Sequence, residues 1–143
     1  MFGRHEDYAI RFISNAICKT LVGLPVTLRQ NRRFDYTPVQ DLVRVIERFF
    51  THEARHDAYN VSAVETWPLL DLARLVVALS GRDVPVVVGS EGMGVEYSGD
   101  GRRLRDELPD LAATPVAEAV ARLYEWYAER RQLIDRDALL VDR

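Results

Sequence analysis

Apolar side chains recur three and four residues apart in four stretches of the chain, which is the spacing of one face of an α-helix. Thr37-Pro38 and Thr114-Pro115 precede two of these stretches and Thr66 precedes a third, so each threonine is predicted to cap a helix. Gly23 and Gly81 stand where two of the helices would end. Helices are therefore predicted at residues 8–22, 38–50, 67–80 and 115–131.

The segments with strand character are fewer and shorter. Strands are predicted at residues 25–28, 58–61 and 84–88. Residues 89–99 are rich in glycine and predicted as a loop, and a short helix follows that Asp100 caps and Pro109 ends. This order of elements predicts a helix-rich α/β fold with a few short strands. We expect one domain over residues 1–131 and a polar, frayed tail over residues 132–143.

The composition narrows the classes of function. A chain of 143 residues with 22 acidic and 19 basic side chains, mixed along the sequence, offers no basic surface for nucleic acid or for an anionic membrane. A single cysteine, Cys18, excludes an internal disulfide. No apolar run approaches the roughly 20 residues of a membrane helix, and the first residues lack the apolar stretch of a signal peptide. The predicted compartment is the cytoplasm.

His52-Glu53-Ala54-Arg55-His56 fits the H-E-x-x-H pattern, in which two imidazoles one helical turn apart bind zinc beside a glutamate base. It makes a zinc metallohydrolase a distant alternative. Arg55 would place a cation beside the metal, and the third ligand would have to be a carboxylate such as Glu65. We therefore interpret both histidines as ordinary residues near a helix C-terminus and expect no metal site.

Two other stretches could hold phosphate groups. Residues 86–94, V-V-V-G-S-E-G-M-G, resemble a dinucleotide loop, but the next helix begins only near Asp100, so a flexible loop is favoured and no cofactor-binding residue is expected. Arg32 and Arg33 precede the helix start at Thr37, and a guanidinium is well matched to a diphosphate. From the residues alone, a diphosphate site and a solvated loop are equally supported.

Residues 32–42, R-R-F-D-Y-T-P-V-Q-D-L, resemble a segment of the extended short-chain dehydrogenase/reductase superfamily, in its NAD-dependent epimerase/dehydratase branch. Residues 2–13 resemble the family's F-G-P-G-E-D-Y and R-F-I-P stretches, and residues 59–61 resemble its Y-N-V-G strand. Residues 114–127 resemble its closing T-P-x-x-E-x-x-x-x-L-x-x-W-Y. Because these segments occur in order along most of the chain, the resemblance is to the C-terminal, substrate-binding portion of the family, without the Rossmann sheet.

The resemblance implies a nucleotide-sugar substrate, and NAD or NADP in the complete enzyme. The family's glycine loop and its catalytic Y-x-x-x-K pair belong to the Rossmann part, which we expect to precede the residues present here. The only lysine is Lys19, and the residue four positions before it is Asn15. No catalytic pair can therefore be formed, and the chain is predicted to bind no cofactor and to have no catalytic residue of its own.

The resemblance also suggests candidate substrate-binding residues, although Phe34 stands where the family often has the arginine that meets the diphosphate. The candidates are Arg33, Arg32, Arg11, Phe12 and Asn60. Two partners are considered: a Rossmann chain that completes the enzyme, and a second copy of this chain in a non-catalytic, self-associating module. Either assembly, a homo-oligomer or a hetero-complex, would cover apolar faces of the first helix and of the short strands.

Overall fold

The computed structural model describes residues 1–140. The helices in this range are α1 Phe12–Val22, α2 Val39–Phe49, α3 Leu69–Ser80, α4 Arg102–Glu107 and α5 Val116–Ala128. The strands are β1 Val26–Asn31, β2 Arg33–Phe34, β3 Trp67–Pro68 and β4 Val86–Met93. The prediction of a helix-rich α/β fold with a few short strands is confirmed.

The main core forms where α1, α3 and α5 pack against one another and β1 lies beside α1 and α3. Ile17 of α1, Leu72 of α3 and Val120 of α5 are fully buried, and burial of one such side chain contributes about 1.5–3 kcal/mol. Gly23 ends α1 with φ 74°, in the left-handed conformation that a side chain disfavours. The predicted end of the first helix is therefore confirmed. Its start is Phe12, because residues 8–10 form a turn instead.

β1 and β4 form a parallel pair in which Val26 lies opposite Val86. β4 continues through Met93, so the prediction of a loop from residue 89 is wrong for the first five residues. Gly89 lies inside the strand, where a Cβ would come within 3.2 Å of the Arg29 carbonyl oxygen. Gly92 has φ 80°, close to an irregularity in the strand pairing. Gly89 and Gly92 thus allow β4 to pair with β1, a segment about 60 residues away in the sequence. A local sequence pattern does not reveal a pairing over that distance.

The predicted strand at residues 58–61 is wrong: this segment has no regular secondary structure. A strand requires a neighbour for its backbone hydrogen bonds, and no strand among residues 1–140 pairs with this segment. β3 instead forms at Trp67–Pro68 and pairs with β2 in antiparallel orientation.

Two of the three threonines that were predicted as helix caps bond other residues, and the buried Thr37 Oγ1 has no hydrogen-bond partner among the described residues. Thr66 Oγ1 accepts a hydrogen bond from Arg33 Nε, and Thr114 Oγ1 donates one to Asp41 Oδ1. Val39 N, the first amide of α2, donates a hydrogen bond to the carbonyl oxygen of Phe2. The N-cap residues of these helices are prolines: Pro38, Pro68 and Pro115.

α2 is only half covered by the rest of the described chain. Val45 and the partly buried Phe49 belong to a small second cluster with Leu104 and Leu108. The adjoining part of the apolar face is exposed, and it comprises Val43, Ile46 and Phe50, with Phe50 81% exposed. α1, by contrast, is buried from Ile13 to Leu21 apart from Asn15. The expectation of an exposed first helix is therefore wrong, and the exposed apolar faces lie on α2 and on β4.

Residues 132–140 include short helical turns. Two 3-10 turns form at Arg131–Leu133 and Asp137–Leu139, and Leu139 is 1% exposed within the main core. The sequence pattern did not distinguish Leu139 from the neighbouring Leu133 and Leu140, which are exposed. Residues 141–143 of the predicted tail lie outside the described residues.

Candidate functional site

The carboxyl ends of β1 and β4 lie side by side, because the two strands are parallel. In open α/β sheets, ligands bind outside the carboxyl ends of parallel strands. The residues that leave β1 here are Arg32, Arg33 and Phe34, and the segment from Gly94 to Tyr97 leaves β4. The two segments meet where Tyr97 N donates a 2.9 Å hydrogen bond to the Arg33 carbonyl oxygen. The candidate arginines therefore lie at the edge of the fold where a ligand is expected.

Arg33 is already engaged within the chain. Its Nε and NH2 donate 3.0 Å hydrogen bonds to Oγ1 and to the carbonyl oxygen of Thr66, and Nε lies 3.8 Å from Glu96 Oε2. The Arg32 carbonyl oxygen accepts from Leu69 N, which joins this segment to the start of α3. Arg33 thus holds β2 against the approach to β3, and a diphosphate would have to compete with Glu96 for it.

Phe34 lies in a row of aromatic rings rather than among cations. Its ring centroid is 5.6 Å from that of Tyr36 and 5.9 Å from that of Tyr97, and Tyr36 in turn contacts Phe2 in an edge-to-face arrangement. Such aromatic pairs contribute roughly 0.5–1.5 kcal/mol beyond burial. The row ends at Tyr97, which is 74% exposed.

The other three candidate residues lie on separate elements. Arg11 is exposed at the start of α1, and Phe12 is the first residue of that helix, packed on the main core. Asn60 is exposed in the irregular segment, where its Nδ2 donates to the Asp100 carbonyl oxygen. Arg32, between β1 and β2, and Arg33, in β2, are thus adjacent. Arg11 and Phe12 lie instead at the start of α1, and Asn60 lies in the segment before β3.

The most densely bonded carboxylate was not among the candidates. Glu107, at the end of α4, has a fully buried side chain. Its oxygens accept from the Tyr59 hydroxyl at 2.5 Å and from Arg55 N at 2.8 Å, and Oε1 lies 3.2 Å from His52 Nε2. Arg55 Nε is 3.4 Å from Oε2. The H-E-A-R-H segment was the feature of the sequence that pointed to this place. Its His52 and Arg55 contact the buried carboxylate of Glu107.

Several hydrogen bonds and the Arg55 charge together outweigh the effect of burial on the pKa of Glu107. Burial by itself would raise the pKa of this carboxyl, but the hydrogen bonds from Tyr59 and Arg55 N, together with the Arg55 charge and His52, lower the pKa to about 2. The pKa of Tyr59 is also raised. Burial is the larger cause, and the hydrogen bond to Glu107 adds to it. Glu107 is therefore a permanent anion near neutral pH, and it fixes residues 52–59 against α4.

This segment does not have the single-helix geometry that the H-E-x-x-H pattern requires. α2 ends at Phe49, so His52 and His56 do not lie on one helix. His56 N donates to the Tyr59 hydroxyl in a turn. Within residues 1–140, no group of three histidine, cysteine, aspartate or glutamate side chains could hold a metal ion.

A cavity of about 460 Å³ lies between α2, α4 and the segment that leads into α5. Its walls are mainly apolar and include Val45, Leu104 and Leu108. Asp41, on its α2 side, accepts from Arg44 at 2.8 Å and from both the amide and the hydroxyl of Thr114, so its charge is already balanced inside the fold.

A half-buried carboxyl lies near the start of α1. Glu6 Oε1 accepts a hydrogen bond from the hydroxyl of Ser14, which is fully buried. Burial raises the pKa of Glu6, and it also raises the pKa of the Cys18 thiol to about 12, with Glu6 adding to the effect. This cluster is part of the core and faces no ligand site that we identify.

Solved structures with a similar fold were found. The chain superposes on dTDP-glucose 4,6-dehydratase from Bacillus anthracis, solved with NAD, with a TM-score of 0.75 at 15% identity over 92% of this chain and 43% of that chain. For the GDP-L-fucose synthetase from Naegleria fowleri the TM-score is 0.73 at 12% identity, with coverages of 94% and 45%. For WbmF from Bordetella bronchiseptica with NAD+ and UDP it is 0.72 at 18% identity, with coverages of 91% and 39%.

These similarities define the fold: it matches part of the extended short-chain dehydrogenase/reductase type, and the structures that share it are NAD-dependent epimerase/dehydratase-type enzymes. The chain spans less than half the length of each of these enzymes. No family model matches the sequence, and no curated protein matches it. In the described range, no helix is long and apolar enough to cross a bilayer.

Proposed function

We propose that this chain is the substrate-binding part of an NAD- or NADP-dependent nucleotide-sugar epimerase or dehydratase, and that a cofactor-binding Rossmann chain completes it. The observation that supports the proposal most is the match of over nine-tenths of this chain to less than half of each enzyme. The ordered sequence motifs support the same family. The Tyr-x-x-x-Lys pair is absent from these residues, so a Rossmann part, on another chain or on a longer form of this one, would supply the hydride chemistry.

The exposed face of α2 is the surface that we assign to this partner. Val43, Ile46 and Phe50 form an apolar stripe without a covering element in residues 1–140, and residues 58–61 lie nearby, where Tyr59 contacts Phe49. An α/β partner would offer a sheet face for the stripe and an edge strand for the unpaired segment. Burial of this stripe favours association.

The test uses a chain that carries both the glycine loop and the Tyr-x-x-x-Lys pair, mixed with this protein at high micromolar concentration. We expect a complex on size-exclusion chromatography and NAD-dependent turnover of a nucleotide-sugar only in the mixture. Phe50→Glu should abolish both, because a carboxylate would be buried without a partner. Leu133→Glu changes an equally exposed residue elsewhere and should leave both intact. Absence of a complex would reject the proposal.

The same stripe favours a second candidate, a non-catalytic module that associates with its own copy through α2. Sedimentation of the chain alone separates the two. A monomer that binds the cofactor chain supports the first candidate. A dimer that Phe50→Glu converts to a monomer, with no binding of the cofactor chain, supports the second.

A further inference from the structure

A second cavity, of about 230 Å³, lies between residues 2–4, the start of α2 and α5. Three arginines border it, Arg4, Arg44 and Arg122, and no carboxylate side chain is among the described residues that line it. We call it the arginine cavity. None of these lining residues belongs to β1 or β4, so the cavity lies apart from the strand ends where the other candidate arginines are found.

Two of the three guanidiniums are oriented by carboxylates that do not line the cavity. Arg44 NH2 donates to Asp41 Oδ1 at 2.8 Å, and Arg122 NH2 donates to Glu118 Oε1. Within residues 1–140, the other nitrogens of these two guanidiniums have no acceptor, and neither has any guanidinium nitrogen of Arg4. An ion pair made through one nitrogen fixes the direction of a guanidinium and leaves its remaining N–H donors available for a ligand.

Backbone contacts place Arg4 beside the start of α2. Phe2 N donates to the Thr37 carbonyl oxygen at 3.0 Å, and Val39 N donates to the Phe2 carbonyl oxygen at 2.9 Å. A Cβ at Gly3 would come within 2.5 Å of Val39 Cγ1, so a larger residue there would force the two segments apart. The position of Arg4 is therefore set by the fold and not only by its own flexible side chain.

The backbone is strained immediately after Arg4. His5 has φ 66°, in the left-handed region, and it is the one residue other than glycine with a positive φ among residues 1–140. Its ring packs edge-to-face on Trp126 with the centroids 5.0 Å apart. Such strain persists only where the surrounding structure holds it, and it is concentrated at functional sites. It supports a functional reason for the direction in which Arg4 leaves the chain.

We propose that the arginine cavity binds the phosphate group of a small phosphomonoester. The oxygens of a phosphate point to the corners of a tetrahedron and can accept from guanidiniums on several sides, whereas a carboxylate has two oxygens in one plane. The buried side chains of Phe2 and Leu123 add apolar wall, which suits a short organic group on the phosphate. The volume limits the ligand to less than drug size. This inference goes beyond the proposed function and does not depend on it.

The experiment measures binding of ethyl phosphate, inorganic phosphate and acetate to the full chain by calorimetry and by ligand-observed NMR. We expect ethyl phosphate to bind at least about threefold more tightly than inorganic phosphate, because the ethyl group contacts the apolar wall. Acetate should bind at least about tenfold more weakly than ethyl phosphate. Raising the salt concentration from about 0.05 to 0.5 M should weaken the binding of ethyl phosphate severalfold.

Two variants and a matched control locate the site. Arg4→Gln and Arg122→Gln should each weaken the binding of ethyl phosphate by roughly tenfold. Arg74→Gln is the control and should have no effect, because Arg74 is 67% exposed beside Asp71 on α3, as Arg122 is 66% exposed beside Glu118 on α5. Thermal unfolding of all three variants should match that of the unaltered chain within a few degrees.

Four results would overturn the proposal. They are no binding of ethyl phosphate, acetate binding as tight as that of ethyl phosphate, inorganic phosphate binding as tight as that of ethyl phosphate, and equal losses from Arg74→Gln and Arg122→Gln. The third result would mean that the cavity holds a free anion and not a phosphomonoester. None of these measurements needs the cofactor chain, so failure here is distinct from failure to form the complex.

Discussion

The hydroxyl of Tyr59 donates a 2.5 Å hydrogen bond to Oε2 of Glu107, 48 residues further along the chain. This contact joins the irregular segment before β3 to the end of α4. Because the carboxylate also accepts from Arg55 N and lies beside His52, one buried anion organises the whole turn that follows α2.

Glu107 predicts a specific loss of stability in acid. Its pKa is about 2 in the folded chain against an ordinary value of 4.5, so its contribution to stability is complete above pH 4.5 and is lost as the pH falls from 4.5 towards 2. Glu107→Gln should lower the Tm by several degrees at neutral pH, because the amide NH2 would face the donors Tyr59 and Arg55 N. Its stability should also depend less on pH in that window, measured by thermal unfolding. Equal acid dependence in both proteins would contradict the assignment.

For Glu6, the expected dependence of stability on pH has the opposite sign to that of Glu107. Burial raises its pKa above 4.5, so the charged form disfavours the folded state and stability increases as the pH falls through the raised pKa. Glu6→Gln keeps an oxygen for the Ser14 hydroxyl and removes the charge. It should be as stable as the unaltered chain at pH 7 or more stable by a few degrees, with the difference fading below pH 4.5 in the same unfolding series. A variant that is clearly less stable at pH 7 would show that the ionised form is needed.

The burial of Leu139 predicts that residues 132–140 contribute to the free energy of unfolding. Leu139→Ala removes a side chain that is 1% exposed and should lower the free energy of unfolding by roughly 2–5 kcal/mol, measured in urea. The neighbouring Leu140 is 60% exposed. Leu140→Ala should change the free energy of unfolding by less than about 0.5 kcal/mol. Similar effects from the two variants would mean that residues 132–140 do not contribute to the core.

The burial of Cys18 predicts slow alkylation of its thiol in the folded chain. It is fully buried, and its pKa of about 12 leaves almost no thiolate near neutral pH. Iodoacetamide should modify it at a rate limited by unfolding, and at least about a hundredfold faster in denaturant, followed by mass spectrometry. Rapid modification without denaturant would contradict the buried position of α1.

Much of the fold was predictable from local pattern. The apolar periodicity of α1, α2, α3 and α5, and the glycines at 23 and 81, are properties of segments that act over one or two helical turns. Several of the errors share one cause, since each of these involves a distant partner. Residues 58–61 lack a strand to pair with, whereas Gly89 and Gly92 lie within β4 because β1 is available. Thr66 and Thr114 bond Arg33 and Asp41 instead of their own helices.

The candidate site shows the same division. The sequence alone offered Arg32 and Arg33 as candidates for a diphosphate, with a solvated loop equally supported. The single lysine excluded a catalytic Tyr-x-x-x-Lys pair, because that conclusion depends only on residue type and spacing. Tertiary structure decided what surrounds them: Glu96 and Thr66 engage Arg33, and Phe34 joins Tyr97. Burial and charge pairing act through space between segments tens of residues apart. The role of a side chain was therefore set by neighbours that its own stretch of sequence does not contain.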